Sequence, residues 1–175
     1  MISVKYSYMS DSAKRLIKDI LEVVCSALII SFILLKFFFI SVEVDGSSMV
    51  PTLHPSDKGI SFVITKNIGV KRFETVVVDV ESKLLVKRII GMPNETIEYK
   101  DNVLYIDGEV YEEPYLKDVL TDDFKVELKN DEYYCLGDNR EVSKDSRFYG
   151  PFNYEDFKAS HVLVLLPFEN FGFVK

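Results

Sequence analysis

Two residues that lie far apart in this sequence could together perform nucleophilic catalysis. Ser48 lies in DGSSMVPTL, residues 45–53, and Lys87 lies in LVKRIIG, residues 85–91. A serine hydroxyl is a weak nucleophile until a neighbouring base takes its proton. A lysine within an apolar strand can be that base, because desolvation disfavours its charged form and lowers its pKa. Taken separately, a serine in a turn and an edge-strand lysine facing water are the more ordinary interpretations.

A third polar segment, GDNREVSKDSRFYG, covers residues 137–150. As an isolated loop it could be a surface turn held by Asp/Arg pairs, each of which contributes little to stability. Its length and its specific residue order make it the most informative of the three segments.

An apolar segment at residues 20–40 precedes the serine motif and contains only two charged residues, Glu22 and Lys36, near its ends. As a helix of about 21 residues it would span roughly 31 Å, the thickness of the hydrocarbon layer of a membrane. A buried core helix would carry a polar stripe, and a cleavable signal peptide would end in small residues at cleavage-site spacing. Neither pattern is present, so the sequence predicts a retained transmembrane anchor.

Charge on the two sides of this segment predicts its orientation. Basic residues lie just before it, at positions 14, 15 and 18, whereas Glu43 and Asp45 follow it. The positive-inside rule therefore predicts a cytoplasmic tail at residues 1–19 and an extracytoplasmic domain at 41–175. Ser48 follows the anchor by only about eight residues, which predicts a site near the outer membrane surface.

After the anchor, short runs rich in Val, Ile and Tyr alternate with turn residues, which is typical of antiparallel strands. The predicted strands cover residues 60–64, 75–80, 84–90, 96–99, 103–106, 133–136 and 162–166. We therefore expect a mainly β domain with a small insertion near 101–130. The acidic residues 112–123 are expected to form a solvated excursion between strands.

Composition excludes several other functions. The formal net charge is −7 and the basic residues are scattered, so nucleic acid is not an expected partner. His54 and His161 have no ligand-type neighbours at metal-binding spacing, and we expect neither a metal nor a cofactor. Cys25 in the anchor and Cys135 in the soluble domain are too separated to form a disulfide.

In this order, the three segments closely resemble those of the bacterial type I signal peptidases, or leader peptidases, of the Gram-positive single-anchor type. The resemblance implies a signal-peptidase/repressor-type β fold and a serine endopeptidase that cleaves signal peptides from secretory preproteins at a lipid bilayer. It assigns Ser48 as the nucleophile and Lys87 as the general base, and Ser143 would help to orient the lysine. It leaves the oligomeric state open.

The resemblance also implies supporting residues. Buried ion pairs would join Asp138 with Arg88 and Asp145 with Arg147. Gly46 replaces a serine that completes the oxyanion hole in some members, so the backbone N–H of Ser48 would carry that role. The usual loop patterns are also altered at residues 72–75 (RFET) and 93–95 (PNE). These changes affect expected loop geometry rather than the Ser/Lys pair.

The same resemblance predicts how the substrate binds. It would add as an extended strand between residues 42–44 and 84–86, with small pockets for Ala-like residues one and three positions before the cut. The candidate contact residues are Val42, Val44, Leu84 and Val86.

Three other classes of protein share part of this pattern. A self-cleaving repressor would carry a DNA-binding region instead of an anchor, and a eukaryotic-type signal peptidase would have histidine at position 87. The remaining alternative is an inactive membrane-tethered assembly or binding factor that keeps the same fold.

Overall fold

The computed structural model describes residues 10–63, 69–116 and 120–174 of the chain. They fall into two units, residues 1–38 and 39–175, of which the first contains a single helix. The second unit contains the strands and every candidate functional residue.

Helix α1 (Asp11–Phe38) has no buried side chain. Within the described ranges it is the one helix long and apolar enough to cross a membrane. It starts at Asp11 rather than at residue 20. Its polar first turns contain two ion pairs at helical spacing, Lys14–Asp11 at 3.1 Å and Lys18–Glu22 at 3.6 Å. A search for apolar residues does not reveal such polar turns. Its last residue is Phe38, and the two remaining residues of the predicted anchor begin the first strand.

The second unit is built from antiparallel strands, which confirms the predicted fold class. The described strands are β1 (Phe39–Glu43), β2 (Lys58–Val63), β3 (Thr75–Val80), β4 (Lys83–Gly91), β5 (Thr96–Lys100), β6 (Val103–Ile106), β7 (Glu109–Tyr111), β8 (Phe124–Glu127), β9 (Glu132–Leu136), β10 (Phe152–Asn153), β11 (Phe157–Leu166) and β12 (Gly172–Phe173). The larger sheet has the order β1-β2-β11-β3-β4-β9-β10, with β12 paired to β11. The smaller sheet has the order β7-β6-β5-β8. A short helix, α2 (Ser146–Tyr149), follows β9.

All seven predicted strands are present, although residue 64 lies outside the described ranges. Strand β11 begins at Phe157 instead of residue 162, because its first half contains polar residues that weakened the apolar pattern. Strand β8 was missed inside an acidic stretch, where only Phe124 and Val126 turn toward the smaller sheet's core. A strand with one solvated face needs apolar residues only at alternate positions, so a strongly polar segment can still form one.

Residues 117–119 lie outside the described residues, and for the rest of 112–123 the expectation is wrong in part. Glu112 is exposed, but the side chain of Glu113 is only 9% exposed and pairs with a buried arginine. Thr121 is also buried. The high acidic content predicts solvation on average, whereas burial of one carboxylate depends on a cation supplied from elsewhere in the chain.

Three strands position the site. Strand β1 leads into the loop that carries Ser48, β4 carries Lys87, and β9 leads into residues 137–150. Arg88 of β4 pairs with Leu136 at the end of β9. The third motif therefore begins beside Lys87.

Candidate active site

The loop that carries Ser48 is anchored by apolar side chains on its C-terminal side. Met49 and Leu53 are 1% and 0% exposed, and they pack with Val42 and Val77 in the core of the larger sheet. The N–H of Leu53 donates to the carbonyl of Met49 at 2.8 Å. This packing places Ser48 at the boundary between the core and solvent.

Lys87 is buried in the centre of β4, with 2% of its surface exposed. Its Nζ lies 2.8 Å from the Oγ of Ser48 and 3.0 Å from the carbonyl oxygen of Val86. Burial lowers the pKa of Lys87 to about 8, and the nearby carboxylates Asp145 and Asp138 only partly oppose this effect. The structure therefore brings together a serine hydroxyl and an amine that can be neutral near physiological pH.

This lowered pKa predicts the pH dependence of the reaction. kcat/KM for a peptide without nearby titrating groups should rise with pH along a limb centred near 8, because only neutral Lys87 can accept a proton. The same lowered pKa also affects stability. It makes folding less favourable below pH 8, where Lys87 is charged in both the folded and the unfolded protein. That cost should decline between pH 8 and 10.5, where the unfolded chain holds the proton more tightly.

His54→Ala and His161→Ala are the controls for this pH profile. Within the described residues neither histidine hydrogen-bonds to Ser48 or Lys87. Both variants should keep the limb near pH 8. Loss of the limb in His54→Ala, with continued cleavage by Lys87→Ala, would identify a different base.

Arg88 and Asp138 form the first predicted ion pair, and both side chains are almost fully buried. Arg88 donates from Nε to Oδ1 at 2.9 Å and from Nη2 to Oδ2 at 2.7 Å. The hydroxyl of Thr52 also donates to Oδ2 of Asp138. Asp138 thus joins the strand that carries Lys87 to the loop that carries Ser48. The sequence motif did not reveal that Thr52 takes part in this link.

Asp145 and Arg147 form the second predicted pair. Arg147 donates to Asp145 from Nε and from Nη2, each at 2.9 Å, and the N–H of Gly137 donates at 3.0 Å. Burial opposes ionisation of Asp145, but these hydrogen bonds outweigh it and lower the pKa of its carboxyl group. Asp145 also caps the N-terminus of α2 and so holds the loop in one conformation.

Ser143 lies beside the pair rather than bonded to it. Its Oγ is buried and makes no hydrogen bond to Lys87. A Cβ built on Gly137 would lie 2.2 Å from this Oγ and 2.5 Å from the carbonyl oxygen of Ser48. Glycine is therefore required at position 137, where the third motif approaches the nucleophile loop most closely. The orienting role of Ser143 stays a prediction.

A cleft of about 400 Å³ opens at the Ser48–Lys87 pair. Its walls come from residues 43–46, 48–49 and 83–87 and include Val44, Leu84 and Val86. A second cavity of about 120 Å³ is lined by Val42, Val77, Leu84 and Val86, among others. All four candidate substrate-binding residues thus line one of two cavities between β1 and β4.

Comparison with known proteins identifies the family. The family model "Signal peptidase, peptidase S26" matches residues 17–166, and the chain belongs to this family. Its function is therefore that of a signal peptidase, a serine endopeptidase.

Individual relatives agree with this assignment. The chain is 35% identical over 170 residues to signal peptidase I of Bacillus amyloliquefaciens, covering 90% of this chain and 92% of that protein. It is 33% identical over 178 residues to signal peptidase IB of Staphylococcus aureus strain COL, covering 88% and 93%. A crystal structure of a signal peptidase I from Enterococcus faecalis V583 is 30% identical with a TM-score of 0.51, covering 53% of this chain and 97% of that one.

Proposed function

We propose that Ser48 and Lys87 form the catalytic dyad of this signal peptidase. The observation that supports the proposal most directly is the 2.8 Å contact between Ser48 Oγ and the Nζ of a buried lysine whose pKa lies near 8. A nucleophile and a base within hydrogen-bond distance are what serine acyl transfer requires. Because Ser48 and Lys87 are both present and in contact, the alternative of an inactive membrane-tethered factor is not favoured.

In the proposed reaction, neutral Lys87 takes the proton of Ser48 as Oγ attacks the scissile carbonyl carbon. The lysine then gives that proton to the leaving amine, and an acyl-enzyme remains on Ser48. A water molecule, activated by the again neutral Lys87, attacks the ester and releases the signal peptide with a free carboxylate. The proton returns to Ser48 when the ester bond breaks.

The backbone N–H of Ser48 is suited to stabilise the oxyanion. Within the described residues it donates no hydrogen bond, and a Cβ built on Gly46 would meet no atom within 4 Å. Such a donor typically contributes about 3 kcal/mol to transition-state stabilisation. Ser143 would contribute by limiting the positions that the Lys87 ammonium can occupy.

The two cavities support the proposed selectivity for small residues. An extended peptide between β1 and β4 would place alternate side chains toward the same face, one and three positions before the cut. The smaller cavity, of about 120 Å³, is bounded by the branched side chains of Val42, Val77 and Val86. These walls favour alanine over larger residues.

This selectivity can be tested with a model preprotein. Replacing alanine by leucine three positions before the cut should lower kcat/KM by about 100-fold, because the larger side chain does not fit between Val42, Val77 and Val86 in the smaller cavity. The same change two positions before the cut, where the side chain would face away from the cleft, is the control and should have little effect. Equal cleavage of both altered substrates would contradict the proposed binding mode.

We also propose that α1 anchors the enzyme in the plasma membrane with the N-terminus in the cytoplasm and the catalytic domain outside. The charge asymmetry across the helix supports this orientation. Protease added to intact protoplasts should digest the region after residue 40 and spare the N-terminal tail. Digestion of the tail with protection of the catalytic domain would reverse the topology and place the dyad on the wrong side for secretory preproteins.

A further inference from the structure

A buried ion pair connects the segment after β7 with the loop after β9. Arg140 Nη2 lies 2.6 Å from Glu113 Oε1, and the two side chains are 0% and 9% exposed. The hydroxyls of Tyr115 and Tyr99 also donate to the Glu113 carboxylate. A carboxylate that accepts from three donors is held firmly, because moving it would leave several polar groups without partners.

One set of contacts leads from Glu113 to the nucleophile. Arg140 Nε donates to the carbonyl of Gly137 at 3.0 Å, and this glycine packs directly against the carbonyl of Ser48. The N–H of Asn139 donates to that same Ser48 carbonyl at 3.0 Å. Any shift of residues 137–139 is therefore transmitted to the backbone of Ser48.

A second set of contacts leads from Glu113 to the base. Tyr115, whose hydroxyl lies 2.6 Å from Glu113, places its ring over the Arg88 guanidinium at 4.0 Å from the ring centroid. Arg88 directly follows Lys87 in β4 and is bonded to Asp138. The position of the Tyr115 ring thus helps to fix the strand that carries the general base.

We infer that Glu113 is a positioning residue for the Ser48–Lys87 pair. The inference rests on the proposed dyad and extends it to a residue outside the three sequence motifs. Glu113 does not line the cleft at Ser48, so it acts through Arg140 on one partner and through Tyr115 and Arg88 on the other. Its carboxylate aligns two reacting groups that come from different parts of the chain.

The test compares Glu113→Gln with Glu112→Gln, its exposed neighbour, in the full-length enzyme acting on a model preprotein. Wild-type cleavage that is lost in both Ser48→Ala and Lys87→Ala establishes the dyad independently. Glu113→Gln should then lower kcat per folded molecule by about 10- to 100-fold, because small misplacements of reacting groups reduce rates strongly. KM should change less than about twofold, since the cleft walls are untouched. Glu112→Gln should retain wild-type kinetics.

Circular dichroism and urea unfolding give the folded fraction of each variant. If kcat per folded molecule in Glu113→Gln stays within twofold of wild type, Glu113 only stabilises the fold and the inference is overturned. If Glu113→Gln does not fold, kcat and folded fraction are measured for Tyr115→Leu instead. That variant removes the ring above Arg88 and leaves the Glu113–Arg140 pair in place. A normal kcat in that folded variant likewise overturns the inference.

Discussion

Replacing Ser48 or Lys87 with alanine is expected to lower the rate of preprotein cleavage by about 10⁴- to 10⁶-fold, while the domain stays folded. Ser48→Ala removes the attacking oxygen, and Lys87→Ala removes the amine 2.8 Å away that accepts its proton. Because the two groups act in one step, the double variant should be no slower than either single variant. Single-turnover cleavage of a purified preprotein measures all three rates.

Ser47→Ala provides the matched control for this experiment, because Ser47 is the exposed neighbour of the nucleophile. Its kcat should match that of the wild type. Independent, multiplicative losses in the double variant would mean that Ser48 and Lys87 do not act as a unit. Substantial cleavage by Ser48→Ala would refute the proposed nucleophile.

Asp138→Ala is expected to cause the largest loss of stability, about 3–5 kcal/mol in the free energy of unfolding. The substitution leaves the Arg88 guanidinium buried without either oxygen of its bidentate partner. It also removes the acceptor of the Thr52 hydroxyl and so loosens the loop that carries Ser48. Urea denaturation should show a lower midpoint with an unchanged slope, together with a lower melting temperature.

The control for Asp138→Ala is Asp79→Ala, which breaks a contact of 3.6 Å between two partly exposed side chains, Lys158 and Asp79, on the same sheet. Such a pair contributes about 0.2–1 kcal/mol at most. If the two variants unfold at the same urea concentration, the buried pair has no special stabilising role.

The proximity of the two candidate residues was predictable from the sequence, since Ser48 and Lys87 lie in segments that are specific in residue type and order. The structure places these two side chains in contact and forms both implied ion pairs, Arg88–Asp138 and Arg147–Asp145. The antiparallel fold was predictable because alternation of apolar residues is a local property of each strand. The depressed pKa of Lys87 followed from its apolar neighbours in β4.

What the sequence did not reveal depends on contacts between distant segments. Glu113 lies among acidic residues that favour solvent, and its burial requires Arg140, 27 residues away. Thr52 reaches Asp138 across 86 residues. Neither contact has a periodic pattern, because each is determined by how the two sheets and the loop after β9 pack together.

Strand order in the larger sheet has a consequence for when activity arises. The serine follows β1 and the lysine lies in β4, but in the described sheet β2 is connected to β3 only through β11, inserted between them. The backbone hydrogen bonds that link these two parts of the sheet can therefore form only after residues 157–166 have been synthesised. A growing chain that already contains both reactive groups therefore still lacks the strand that joins their two parts of the larger sheet.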